Sequence, residues 1–144
     1  MHSIMRRRKL LEAKKPVALA CALLEDEGRY LFLETKDFAG KSLFALPSVF
    51  VYAGEDPVEA LKRAVAAQCG IDAQVHQAIV QGEFNVGSRK RRKFVPALGF
   101  MVSAKRRTAK VDAPFCGFKW MGVKESLDAK LERKSEWLRR AERT

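Results

Sequence analysis

Residues 46–71 read Leu46-Pro47-Ser48-Val49-Phe50-Val51-Tyr52-Ala53-Gly54-Glu55-Asp56-Pro57-Val58-Glu59-Ala60-Leu61-Lys62-Arg63-Ala64-Val65-Ala66-Ala67-Gln68-Cys69-Gly70-Ile71. The second half carries a full set of helix signals. Asp56 offers a side-chain acceptor to the first turn, and Pro57 suits a first helical position that needs no N–H. Glu59 completes an Asp-x-x-Glu capping box. Leu61, Ala64, Val65 and Gln68 then recur on one side at helical spacing, and Gly70 is a natural terminator. The pattern predicts a helix over Pro57–Cys69. Ahead of it, Phe44–Leu46 reads as a short strand stopped by Pro47, and Val49–Tyr52 resumes an extended pattern.

Reading outward, Pro16–Leu24 is an unbroken small-apolar run, as a strand buried on both faces would be. The polar Glu25–Gly28 turn and apolar Tyr30–Leu33 make this a hairpin, and Thr35–Lys41 is a loop. Downstream, Val75–Val86 and Phe94–Ser103 read as two long strands around Gly87–Lys93, a loop with five consecutive cations. Phe118–Met121 is a short strand. From Lys124 onward, Leu127, Leu131, Trp137 and Leu138 mark one stripe of an amphipathic helix, with Trp137 packing into the core. The order β-β-β, helix, β-β-β, helix predicts an α/β (α+β) fold with a mixed sheet between helices, in one domain over residues 16–142. Residues 1–15 form a basic N-terminal arm, with one helical turn around Leu10 and Leu11.

The 144 residues suffice for one domain with a real core, and 47% apolar with 31% charged is an ordinary globular balance. No apolar run approaches the ~18 residues of a membrane span. The basic residues before Pro16–Ala20 and Cys21 imitate a lipoprotein signal, but five residues are too few for a signal core of about 7–15. Three isolated cysteines (Cys21, Cys69, Cys116) fit a reduced, cytoplasmic protein in which each is a buried small hydrophobe. His2 and His76 form no metal-spaced cluster. The net charge of +11 favours anionic partners.

The 46–71 stretch resembles the Nudix box of the Nudix hydrolases, G-x5-E-x7-R-E-U-x-E-E-x-G-U with U aliphatic. Glu55, Arg63, Val65, Gly70 and Ile71 match at the right spacing, Leu46-Pro47 and Gly54-Glu55 match its usual surroundings, and the element order matches the family's sandwich. The resemblance implies a fold over residues 16–142 that hydrolyses nucleoside diphosphate derivatives, with helix carboxylates holding magnesium or manganese. It also implies that Arg63 orients a box carboxylate. The departures are as informative. The opening glycine is Val49, and the glutamates of E-x-x-E-E are Ala64, Ala67 and Gln68. Hard divalent cations want oxygen ligands, which one helix face presents at i, i+3 and i+4. Alanine has no ligand atom, and glutamine has only a neutral oxygen.

Glu55 is the remaining box candidate for a metal ligand. Glu83, on the strand where family members sometimes place a further catalytic glutamate, is the second catalytic candidate. Glu59 is assigned to the helix cap. Arg89, Lys90, Arg91, Arg92 and Lys93, with Lys105, Arg106 and Arg107 and the Arg6–Lys9 cluster, are candidates for one polyanion-binding face. No aromatic is interleaved, so contacts to nucleic acid would be to phosphates, without base stacking. The functional expectation is a nucleotide or nucleoside-diphosphate-derivative binder with impaired or absent metal-dependent pyrophosphohydrolysis. Two alternatives stay open: an active hydrolase using Glu55 and Glu83 with magnesium or manganese, and a basic module that contacts nucleic acid or protein. The partner expected is a nucleotide-like small molecule, with no membrane; a homodimer is left open.

Overall fold

The computed structural model describes residues 15–106 and 108–143. The expectations for the N-terminal arm, the turn at Leu10 and Leu11, the Arg6–Lys9 cluster and Arg107 lie outside the described residues. Among the described residues, eight strands are β1 (Pro16–Asp26), β2 (Arg29–Lys36), β3 (Ser42–Ala45), β4 (Ser48–Tyr52), β5 (Ala73–Asn85), β6 (Phe94–Ala104), β7 (Gly117–Gly122) and β8 (Glu142–Arg143). The helices are α1 (Pro57–Cys69), α2 (Val123–Asp128) and a 3-10 helix over Arg133–Arg140.

β1 joins the two parts of the sheet. It pairs antiparallel with β4 and parallel with β6, so that Leu19 lies opposite Phe50 on one side and Ala97 on the other. Its end turns back into β2, with Glu25 opposite Tyr30. β2 carries β3 and β7 on its two sides, both antiparallel. β5 runs antiparallel to β6, and two residue pairs add β8 beyond it. The turn is Glu27-Gly28, both at positive φ, which suits the right-handed twist of a two-residue hairpin.

Alternation along β1 feeds two cores. Ala20, Ala22 and Leu24 meet Phe100, Val102 and, from α1, Leu61 and Val65. Leu19, Cys21 and Leu23 meet Val95, Ala97 and Phe84, under Leu131 and Trp137. A strand buried on both faces has no polar positions, hence the unbroken run. The mixed sheet therefore lies between α1 on one face and the C-terminal 3-10 helix on the other.

α1 has the expected bounds. Asp56 Oδ1 accepts the Val58 N–H at 3.0 Å, and Gly70, left-handed at φ 64°, donates its N–H to the Ala66 oxygen. The second half of the expected capping box is corrected: Glu59 is exposed and makes no reciprocal bond among the described residues.

The C-terminal amphipathic helix is also corrected. α2 ends at Asp128, and residues 129–132 are extended because they serve β3. The Phe44 N–H donates to the Lys130 oxygen, and the Glu132 N–H donates to the Phe44 oxygen. An exposed strand edge is satisfied at the expense of helical bonds. Leu127 consequently leaves the stripe and is 42% exposed, while Leu131 and Trp137 are buried. One cysteine expectation fails as well: Cys21 and Cys69 are buried, but Cys116 is exposed on the loop before β7.

Candidate functional site

The loop from Ala53 to Asp56 and helix α1 form the box. Glu55 folds back on its own loop, where Oε1 accepts the Tyr52 N–H at 2.8 Å. Its Oε2 lies 3.8 Å from Arg63 Nη2, with Arg63 71% exposed. At that distance and exposure the pair contributes little to stability. It does bring together the two charged residues that the motif spacing singled out.

Further along α1, Ala64 is buried and Ala67 is exposed. Gln68 is half-buried and engaged at both ends of its amide. Nε2 donates to the Ser48 oxygen at 2.8 Å, and Oε1 accepts the Ser48 N–H at 3.3 Å. A side-chain amide carries both an N–H donor group and an oxygen acceptor, so it can pair with both backbone groups of a residue at once. Sequence reasoning missed this bond because Gln68 and Ser48 are 20 residues apart.

Glu83 lies on β5 opposite Pro96 and is exposed. Gln81, Leu98, Ala20 and Val49 form one row across β5, β6, β1 and β4. Ala20, Leu98 and Val49 belong to the core beneath α1. Glu83, two residues from Gln81, shares that face, but three strand spacings, roughly 14 Å, separate β5 from β4. Among the described residues no group of three His, Cys, Asp or Glu side chains is arranged to hold a metal ion.

No protein-family model matches the chain, and no curated protein matches it. Solved structures do. The E. coli ORF135 protein aligns with a TM-score of 0.65 at 17% identity, over 85% of each chain. The MutT protein of Methanosarcina mazei Go1 gives 0.63 at 18%, over 88% of this chain and 91% of that one. The Nudix domain of Shewanella oneidensis NrtR, solved in complex with ADP ribose, gives 0.58 at 14%, over 88% and 84%. The chain has the Nudix fold.

Within the Nudix fold, the implied magnesium or manganese does not fit the residues present. Ala64 and Ala67 offer no donor, the oxygen of Gln68 already holds the Ser48 N–H, and Glu55 is turned onto Tyr52 and Arg63. Magnesium takes about six oxygens, and one or two scattered carboxylates hold it poorly without substrate phosphates to complete the shell.

The basic residues do not form the single face expected. Arg89–Lys93 precede β6, and Lys105 and Arg106 follow it. An 11-residue strand holds the two clusters roughly 35 Å apart, at opposite ends of the sheet. The end with Arg89–Lys93 also holds the Ala53–Asp56 loop after β4 and exposed Lys15 before β1, because β4 and β5 finish where β1 and β6 begin. Asn85 organises the hairpin: its Oδ1 accepts the Gly87 and Lys93 N–H groups at 2.9 Å each, and its Nδ2 donates to the Ser88 oxygen. Ser88 Oγ accepts the Arg91 N–H at 2.9 Å. An Asn opening a loop whose side chain can bond the backbone two residues on was the available signal.

Proposed function

We propose that this chain is a Nudix-fold module that binds a nucleotide or nucleoside diphosphate derivative without metal-dependent pyrophosphohydrolysis. The observation that carries this reading is the Gln68–Ser48 bond pair, which gives a structural task to a position where the family motif has a metal-binding glutamate. A diphosphate bound without a cation needs its charge met by the protein. Arg63 on α1, and Arg89–Lys93 at the end of the sheet where the Ala53–Asp56 loop lies, are suited to that. The ADP ribose held by the Nudix domain of NrtR supports the ligand class. Three cysteines without a disulfide support a reducing, cytoplasmic setting.

Calorimetry with ADP ribose or ADP, in chelator and then in magnesium or manganese, tests the reading. Expected are binding that is equal in both buffers, no heat from the metals alone, and no phosphate-bond cleavage. Turnover in magnesium that is abolished by Glu55→Gln or Glu83→Gln would replace this reading with that of a hydrolase using substitute ligands.

A second reading rests on Arg89–Lys93, which are all exposed and form no ion pair among the described residues. Unneutralised cations on a loop are suited to the phosphates of a polyanion such as nucleic acid. Loss of salt-sensitive binding to such a polymer when the five are changed to alanine tests it.

A further inference from the structure

We infer that the hairpin end of the sheet docks single-stranded nucleic acid, with Arg89–Lys93 on its phosphates and Phe94 beneath one of its bases. This rests on the phosphate-contact reading above and adds the partner's strandedness; it departs from the sequence expectation of no base stacking, because Phe94 flanks the cationic run rather than interleaving it. Phe94 is the first residue of β6, directly after Lys93, and it is 52% exposed although it sits at the start of a core strand. Register explains the exposure. Phe94 pairs with Asn85, the last residue of β5, so the sheet stops at this row and no further strand residue covers the ring.

The backbone that carries the cations is held. Asn85 bonds the backbone at both feet of the hairpin, and Val86 N–H donates to the Lys93 oxygen at 2.8 Å. From the other layer, Arg133 donates to the Asn85 oxygen at 3.0 Å and lies over the Phe84 ring at 5.2 Å. This adds a further cation beside the hairpin. Lys15 is exposed at the same end. Three of the five hairpin cations are arginines, whose planar fork matches phosphate oxygens. An exposed ring adjoining a row of phosphate-seeking cations is the combination by which proteins hold single strands, since an unpaired base offers its face for stacking and a paired one does not. The run from Gly87 to Lys93 contains no apolar side chain to enter a bilayer. Acids at this end include Glu83, opposite Pro96, and Glu55 and Asp56 on the loop after β4.

The test is fluorescence anisotropy of the full chain with a labelled single strand of about 12 nucleotides. A duplex of the same sequence, inorganic polyphosphate and phosphatidylserine vesicles serve as competitors. The single strand is expected to bind with a log–log salt slope of about −3, flattened to about −1 when Arg89–Lys93 are all changed to alanine. Phe94→Leu, which keeps an apolar side chain, should lower affinity for the single strand about 5-fold or more and leave polyphosphate binding unchanged; Phe94→Tyr should retain it. Circular dichroism of each variant confirms the fold. Absence of binding at about 50 mM salt overturns both the inference and the phosphate-contact reading. Salt-sensitive binding that ignores Phe94→Leu, or that duplex or vesicles compete for equally, overturns the inference alone.

Discussion

The side-chain amide of Gln68 and the backbone of Ser48 form a closed pair of hydrogen bonds, at 2.8 Å and 3.3 Å, tying the last turn of α1 to the first residue of β4. The consequence is directional. Gln68→Glu loses the donor and sets a carboxylate against the Ser48 oxygen, so it should destabilise the fold by about 1–3 kcal/mol in urea titrations. Magnesium should not restore that single variant. The triple variant Ala64→Glu, Ala67→Glu, Gln68→Glu places a carboxylate at buried Ala64 as well and should be less stable still. It should regain stability when magnesium is added. A triple variant indifferent to magnesium would show that the box is misaligned.

Gly82 carries a packing test. A Cβ there would stand 2.8 Å from Trp137 Cε3, against a large ring that is itself buried. Gly82→Ala should cost about 1–3 kcal/mol and shift the tryptophan emission as the indole is displaced. An unchanged spectrum and midpoint would mean that the 3-10 helix is free to move away from β5.

The three thiols should separate by reactivity. Burial pushes Cys21 up to about 12, against the opposing effect of the Trp137 side chain beside it, and burial likewise pushes Cys69 up to about 12. Neither holds appreciable thiolate at neutral pH, whereas Cys116 is exposed. An aromatic disulfide reagent should therefore modify one thiol rapidly in the native chain and all three in urea. Rapid modification of two or more native thiols would contradict the packing around Cys21 or Cys69.

Acid should weaken the β2–β3 edge. A hydrogen bond from Ser42 and another from Lys36 hold the Glu34 carboxyl below its ordinary value of 4.5. Lys130 and the Lys41 N–H hold Asp37 below 3.8. Both contributions are complete above the ordinary carboxylate values and are lost as pH falls through the lowered folded-state values. Stability should thus fall between about pH 5 and 3, with a shallower slope in Glu34→Gln. Equal slopes in wild type and variant would remove Glu34 from the account.

The local signals were readable because they act over a few residues. Asp56, Pro57 and Gly70 bound α1 through bonds and φ values within one turn, and the run from Pro16 to Leu24 announced a strand buried on both faces. Spacing singled out Glu55 and Arg63 but left Arg63 either to orient a box carboxylate or to be solvated or differently paired; that it lies 3.8 Å from Glu55 came from the structure. The C-terminal stripe misled because a helical repeat at Leu127, Leu131 and Leu138 says nothing about a distant strand edge. β3 needed the Lys130 oxygen and the Glu132 N–H, and its claim ended the helix.

What the tertiary structure alone decided are relationships between residues far apart in the chain. It paired Gln68 with Ser48 and set Glu83 on a strand three spacings from β4, on the face that α1 covers. It also put two basic clusters, 11 strand residues apart, at opposite ends of β6. Local pattern reflects backbone bonds and side-chain period, both short-ranged. Register and layer packing are set by the summed burial of two cores, to which β1 to β7 contribute.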